Sequence, residues 1–280
     1  MKKRAIIIFS LILCMSVLFS GCAEELEIGK NEITFKIENG EAVVREVSDT
    51  SATKEITIPD EYEGAPVTKI ADFAAVNIES IEIIHIGKNV KEIGNWAFEN
   101  NQNLTAFKVS EDNPYFCDVD GVLFTKDLKT LLFYPAARGI QTKEEPDGSA
   151  VKYIEYVVPE GVETIRTKAF YKCALLTKLT LPQSLKSIEE KAFFRCSAME
   201  NTVLPAKLEC IGKDAFSYCT SFTEIVIPAS IKQIDTYAFF NCTQLLKIDI
   251  LAAENDVTLG EKWYPTDNGR SIDSLHITWT

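Results

Sequence analysis

The cysteines are the first candidates for chemistry in this chain. There are eight of them, and four follow one another at intervals of 23 residues: Cys173, Cys196, Cys219 and Cys242. If each interval is one turn of a stacked structure, neighbouring cysteines lie about 4.8 Å apart with parallel side chains. Such a row favours free thiols packed in a core over disulfides. A straight row also cannot supply the tetrahedral ligands of a zinc site.

The other reactive residue types form no catalytic pattern that we recognise. Cys117, in the insertion, and Cys210, at a solvent-facing position, are the thiols that we expect to be reactive. Of the two histidines, His85 and His276, we expect His85 to be a solvated side chain without a partner. The run Asp118–Gly121 lacks the further oxygen ligands of a calcium loop, which favours a hairpin turn. No hydrolase, zinc-protease or nucleotide-binding motif occurs, so the sequence predicts no catalytic residue, no metal and no cofactor.

The N-terminus has the pattern of an export signal. A basic start, Met1–Arg4, precedes the uncharged stretch Ala5–Phe19, which is short for a transmembrane helix. The stretch leads into Gly21-Cys22, and small residues directly before a cysteine resemble the lipobox of bacterial lipoproteins. We therefore predict a signal peptide over residues 1–21, lipidation of Cys22, and an acidic tether over 22–31. The alternative is ordinary cleavage with no lipid.

The charge balance excludes one class of partner. The net charge is −12, with 29 Lys and Arg against 41 Asp and Glu. A nucleic-acid-binding protein needs a basic surface to contact phosphates, and no basic stripe is present. The composition is that of an ordinary globular protein.

A 23-residue repeat organises the rest of the chain. Each copy has an isoleucine followed four residues later by alanine, usually with phenylalanine next: Ile70, Ile93, Ile165, Ile188, Ile211 and Ile234. Three residues before each isoleucine stands another aliphatic residue. A short apolar alternation at positions +11, +14 and +16, often closed by proline, is typical of a strand. A period of this length predicts a solenoid, because no single copy can bury its own apolar face.

The consensus L-x-x-I-x-x-x-A-F-x-x-C-x-x-L-x-x-L-x-L-P resembles the BspA-like family of leucine-rich repeats. The resemblance covers nearly all of the chain after the signal peptide. It implies a mainly β repeat solenoid with short helical or 3₁₀ segments, a 23-residue period and an inserted β-hairpin. It also implies adhesion to host matrix proteins or to other cells.

Departures from the period divide the chain further. We expect an N-terminal cap with a β-hairpin at 32–66, where Asn39-Gly40 separates two alternating apolar runs. Repeats follow at 67–111 and at 151–251. The 72-residue interval between Ile93 and Ile165 contains an inserted hairpin and loop at 112–150, and residues 252–280 form a C-terminal cap.

The outward positions of the predicted sheet are the candidate binding face. Positions +13 and +15 point away from the core, and stacking places them side by side. A face exposed only to water is more usually polar, so its apolar members indicate a contact surface. Alternatively, these β-branched residues only favour strand geometry. The candidate residues are Ile83, His85, Lys108, Val157, Thr180, Val203, Val226 and Asp249.

These observations predict an exported bacterial lipoprotein, held at the cell surface, that binds a macromolecule without catalysis. The expected partners are a protein or glycan outside the cell and the membrane, through the lipid. A polysaccharide or peptide capture protein is the alternative, and an enzyme is the third. A capture protein would retain soluble glycans or peptides, whereas an adhesin would retain matrix macromolecules.

Overall fold

The structure is a computed structural model that describes residues 27–28, 33–48, 54–265 and 275–280. The predicted signal peptide and its lipidation site, Cys22, lie outside the described residues. Within the described ranges, no helix is long and apolar enough to span a bilayer.

The chain folds as a mainly β solenoid, which confirms the predicted fold class. Residues 254–256 form the one 3₁₀ helix among the described residues, so tight turns stand where short helical segments were expected in each coil. The strands, in chain order, are β1 (Glu27–Ile28), β2 (Ile33–Glu38), β3 (Glu41–Val47), β4 (Glu55–Ile58), β5 (Glu61–Tyr62), β6 (Ala65–Ile70), β7 (Ile83–Ile86), β8 (Glu92–Ile93), β9 (Ala106–Val109), β10 (Phe116–Val119), β11 (Val122–Thr125), β12 (Thr130–Phe133), β13 (Gln141–Glu144), β14 (Ala150–Val157), β15 (Thr164–Ile165), β16 (Leu176–Thr180), β17 (Ser187–Ile188), β18 (Cys210–Ile211), β19 (Glu224–Ile227), β20 (Gln233–Ile234), β21 (Lys247–Ile250), β22 (Thr258–Leu259) and β23 (His276–Trp279).

A short strand carries the repeated isoleucine of each coil. In the C-terminal part of the chain these strands are β15, β17, β18 and β20, which pair in parallel in this order between β12 and β22. Ile165 pairs with Ile188, and Ile188 with Ile211. The spacing of 23 residues in the sequence is therefore the register of the sheet.

The core is a stack of identical layers. Phe170, Phe193, Phe216 and Phe239 are fully buried, and consecutive rings lie 5.0–5.3 Å apart in stacked geometry. The repeated alanine before each ring is also buried, because only a small side chain leaves room for the ring of the same layer. Burial of these rings, together with the aliphatic residues around them, stabilises the solenoid.

Each coil turns through two residues in the left-handed region. They stand three and seven residues after the repeated isoleucine and are not glycine, as with Lys168 (φ 59°) and Lys172 (φ 58°). The amides of Lys168, Phe170 and Lys172 donate to the next coil, while those of Ala169, Tyr171 and Cys173 donate to the carbonyl three residues earlier. Every amide in the turn is thereby paired, which offsets the conformational cost of the left-handed residues.

Two segments depart from the simple coil. At the N-terminus β2 and β3 pair antiparallel through Asn39 and Gly40, which both have positive φ. In segment 112–150, β10, β11 and β12 form antiparallel pairs, and β12 joins β15 in parallel. Tyr134 then stacks on Phe170 at 4.9 Å, so its ring continues the aromatic column.

Candidate binding face

The longer strands of successive coils present the predicted outward residues. We call this surface the outer sheet face and define it by the outward side chains of β4, β7, β9, β14, β16, β19 and β21, with Asn201 and Val203 of the coil between β16 and β19. Inward residues of these strands are buried, except for the half-buried Val109 and Tyr156, whereas outward residues are half-buried or exposed. The alternation predicted for the strands is thus present.

The face is not one continuous row, which corrects the expectation that stacking lays all the candidates side by side. The strands form three separate sheets: β4-β7-β9, β13-β14-β16 and β19-β21-β23. After β9 the chain enters segment 112–150, and the amide of Phe107 donates to Gly121 there. Ile83, His85 and Lys108 therefore lie on an N-terminal part of the face, apart from the other candidates.

On this N-terminal part, His85 has a partner that sequence reasoning missed. Its Nε2 lies 2.9 Å from Glu55 Oε2 on β4, and β4 pairs with β7 in register. That hydrogen bond is the main reason why the pKa of the Glu55 carboxyl is lowered. The expectation of a solvated, unpartnered His85 was wrong, because β4 belongs to a partial coil whose contribution to the face the repeat alignment left out.

The C-terminal part of the face is the more apolar one. Val157, Val203 and Val226 expose 66%, 82% and 48% of their surfaces. Val157 pairs with the exposed Thr180, and Val226 pairs with Asp249. Asp249 accepts hydrogen bonds from Lys247 and Thr278, and the bond from Lys247 is the first cause of its lowered pKa.

The coil that carries Val203 is irregular. Residues 201–205 form no strand, although their neighbours in the adjacent coils do. Side chains make the links to those neighbours instead: Thr202 Oγ1 donates to the Leu179 carbonyl at 2.9 Å, and Asn201 Oδ1 accepts from the amide of Thr223 at 2.9 Å. Because side chains replace the backbone ladder here, the sheet is interrupted where Val203 is most exposed.

A groove of about 470 Å³ lies at this interruption. Its size is within the range of about 300–1,000 Å³ that is common for ligand sites. The groove is lined by Asn201, Thr202, Val203, Leu204, Ala206, Glu224, Ile225, Val226, Pro228 and Leu251. Sequence reasoning identified Val203 and Val226 but missed Leu251, which follows the last strand position and is 44% exposed.

The repeated cysteines are buried and free, as predicted for a packing ladder. The thiols of Cys196, Cys219 and Cys242 each donate to the phenylalanine carbonyl of the preceding coil at 3.1–3.2 Å. Burial raises the pKa of Cys173 and of Cys242 to about 12. Thiols held in this protonated form are poor nucleophiles and poor metal ligands.

Cys117 and Cys210 are half-buried rather than fully accessible. Burial is the first cause of the raised pKa of each thiol. Their thiolate fraction at neutral pH is therefore lower than that of an ordinary cysteine. The described residues also contain no group of three or more His, Cys, Asp or Glu placed to hold a metal ion.

Parallel strands that stack with a 23-residue register, around a column of buried phenylalanines in the C-terminal coils, are typical of a leucine-rich repeat protein. Residues 46–120 and 149–261 match the family described as BspA type leucine rich repeat region, in six copies. The chain belongs to this family. The resemblance proposed from the repeat consensus is thereby confirmed.

Solved structures show the same fold. The chain is 17% identical to the pneumococcal vaccine antigen PcpA, with a TM-score of 0.55 over 90% of this chain and 93% of that one. It is 15% identical to a leucine-rich repeat protein from Eubacterium ventriosum, with a TM-score of 0.57 over 86% and 84% of the two chains. No curated protein matches the chain in sequence.

Proposed function

We propose that this protein is a non-catalytic binding protein of the bacterial cell surface that holds a macromolecular ligand on the C-terminal part of its outer sheet face. The observation that carries the proposal is the groove beside Val203 and Val226. Large apolar side chains that remain exposed around a concave surface are typical of interaction sites. Repeat solenoids characteristically bind through such extended surfaces.

The positions of the reactive side chains support a binding function over a catalytic one. The four thiols of the ladder are buried in the core, and the pair formed by His85 and Glu55 lies on the N-terminal part of the face, away from the groove. The groove itself offers one ionisable side chain, Glu224, whereas acid–base catalysis usually requires a positioned pair.

The same proposal includes export and a lipid anchor at Cys22. The basic start, the uncharged stretch and the Gly21-Cys22 junction support it. PcpA, with which the chain shares its fold, is a vaccine antigen, and an antigen of that kind is consistent with exposure to the exterior. An acyl chain contributes about 0.8 kcal/mol of membrane affinity per buried CH₂ group.

The binding face is tested by adding charge to it. We expect the double variant Val203→Glu and Val226→Glu to fold normally, because both side chains point away from the core. It should lose retention of immobilised fibronectin or fibrinogen. The matched control is Ile37→Glu with Ile140→Glu, two exposed apolar positions outside the strands that define the face. Equal retention by both double variants would refute the assignment, and retention of soluble glycans alone would favour the capture protein.

The anchor is tested separately with Cys22→Ala. We expect labelled palmitate to be incorporated into the natural protein and not into the variant, which should be released from membranes or keep its leader. Normal processing and undiminished membrane retention of Cys22→Ala would contradict the lipid anchor.

A further inference from the structure

The polar groups of the groove indicate what kind of ligand it accepts. Asn201 is already committed, since its Oδ1 accepts from Thr223 and its Nδ2 donates to the Thr223 hydroxyl at 2.9 Å. The Thr202 hydroxyl is likewise used by the Leu179 carbonyl. The side chains that remain are apolar except for one carboxylate.

This lining is unsuited to a neutral glycan. A bound sugar must have its hydroxyls paired, because unpaired polar groups cost free energy when they leave water. The groove has no aromatic ring on which a sugar could stack and few side-chain donors that are not already used. Its walls suit a large apolar side chain instead.

The carboxylate of Glu224 favours a ligand that carries a positive charge next to its apolar side chain. Glu224 is exposed on β19 and faces Lys247 across the strand pair, but Lys247 forms its ion pair with Asp249. Glu224 and Lys247 still attract each other electrostatically, so one lysine serves two carboxylates, and the protein as a whole carries −12. An incoming cation therefore meets a carboxylate that is only partly compensated, in an acidic field.

We propose that the groove binds an extended polypeptide segment that inserts a large apolar side chain between Val203 and Leu251 and places a Lys or Arg against Glu224. The inference rests on the proposed function and names the ligand class for the same face. The apolar contact supplies the affinity, whereas the cation supplies orientation and selectivity.

The probes are three fluorescent ten-residue peptides, of alternating Leu and Lys, Leu and Glu, or Ser and Lys, titrated against the full chain by fluorescence anisotropy. We expect the Leu/Lys peptide to bind at least about tenfold more tightly than either of the others, because each of those lacks one of the two contacts. Part of its affinity should persist at 0.5 M salt, where exposed charges are screened to within about 5 Å.

Matched variants locate the contact. Glu224→Lys should weaken binding of the Leu/Lys peptide by about tenfold, while Glu155→Lys, the same change in the same row of the face, should alter it less than about twofold. Val203→Ser should bring the Leu/Lys peptide down to the affinity of the Ser/Lys peptide. Circular dichroism and the melting temperature establish that each variant is folded.

Three results would overturn the inference: equal binding of the three peptides, equal effects of Glu224→Lys and Glu155→Lys, or displacement of the Leu/Lys peptide by a neutral glucan. If any of these occurs while Val203→Glu with Val226→Glu still abolishes retention of fibronectin or fibrinogen, the proposed function stands and only the ligand class is wrong. If that double variant also retains its ligands, both proposals fail.

Discussion

At the residue scale, one buried position of the repeat is occupied by two different hydrogen-bond donors, cysteine and asparagine. Eight residues after the repeated isoleucine, the C-terminal coils place a cysteine, and in three of the four the thiol donates to a carbonyl of the preceding coil. In the coil of Ile93 the equivalent residue is Asn101, which is buried and donates to the Ala75 carbonyl at 2.8 Å, whereas the coil of Ile70 has the apolar Ile78 there. Cysteine serves here as a small apolar side chain with one donor, so the ladder is a packing device and not a redox site.

The buried thiols should make the protein sensitive to alkali. Their pKa is raised on folding, to about 12 for Cys173 and Cys242, whereas an unfolded thiol titrates near 8.5. Below that value both states are protonated and stability is unaffected. As the pH rises from there towards 12, the unfolded state loses protons first, so the free energy of unfolding should fall by about 1.4 kcal/mol per thiol per pH unit.

Urea unfolding at a series of pH values measures this slope. Cys196→Ala should lower the free energy of unfolding by about 1–2 kcal/mol at pH 7, because packing and a hydrogen bond are lost. At alkaline pH the variant has one buried thiol fewer, so its free energy of unfolding should fall less steeply with pH. Reductant at pH 7 should leave the melting temperature unchanged. A slope identical in the natural chain and in the variant would show that other groups are responsible.

At the element scale, the turn of each coil depends on residues in a conformation that most side chains avoid. Asn241 is one of them, with φ of 56°. Asparagine tolerates this region, glycine prefers it, and a β-branched side chain is an outlier there. The cost of such a residue is independent of any contact of its side chain.

Substitution of Asn241 should therefore follow backbone preference. We expect Asn241→Val to lower the free energy of unfolding by about 1–2 kcal/mol, while Asn241→Gly leaves it unchanged or slightly higher. Chemical unfolding of both variants at neutral pH measures the difference. Equal losses in the two variants would mean that the asparagine side chain, and not φ, is what the turn requires.

The repeat pattern predicted those strands whose place follows directly from the 23-residue period. The longer strands and their inward–outward alternation follow from the period, because identical coils can stack in one register only. The short strands at the repeated isoleucine were not predicted. The two left-handed positions were not predicted, since Phe73, Trp96 and Lys168 are not residue types that signal positive φ. The interruption at residues 201–205 also escaped, although the polar Thr202 stands at the apolar position +14 of this coil. The side-chain hydrogen bonds of Asn201 and Thr202 reveal it.

At the scale of the whole molecule, the buried residues form two hydrophobic clusters. One extends from Ile33 to Phe133 and the other from Val122 to Trp263, so they overlap only in segment 112–150. In a solenoid each coil contacts only its neighbours, and stability is close to a sum of coil and interface terms. The contacts that cross this segment therefore decide whether the two clusters unfold together.

Lys168 makes the most buried of those crossing contacts. Its Nζ lies 2.8 Å from Glu99 Oε2, with only 11% and 19% of the two side chains exposed, and it also lies 4.3 Å from the centre of the Trp96 ring. Removing one partner of such a pair leaves a charge without compensation in a poorly solvated place. A neighbouring link, from Arg166 to the Ile93 carbonyl at 2.9 Å, would remain.

We expect Lys168→Ala to lower the free energy of unfolding by about 2 kcal/mol and to separate the unfolding of the two clusters, because the interface term between them is weakened more than either cluster itself. Hydrogen exchange followed by mass spectrometry should show faster exchange in residues 54–109 while residues 165–250 keep their protection. The control is Lys186→Ala, whose pair with Glu163 lies at the surface and should contribute less than about 1 kcal/mol. One concerted transition in Lys168→Ala, with protection lost evenly along the chain, would show that packing of the apolar residues in segment 112–150 couples the two clusters without help from this ion pair.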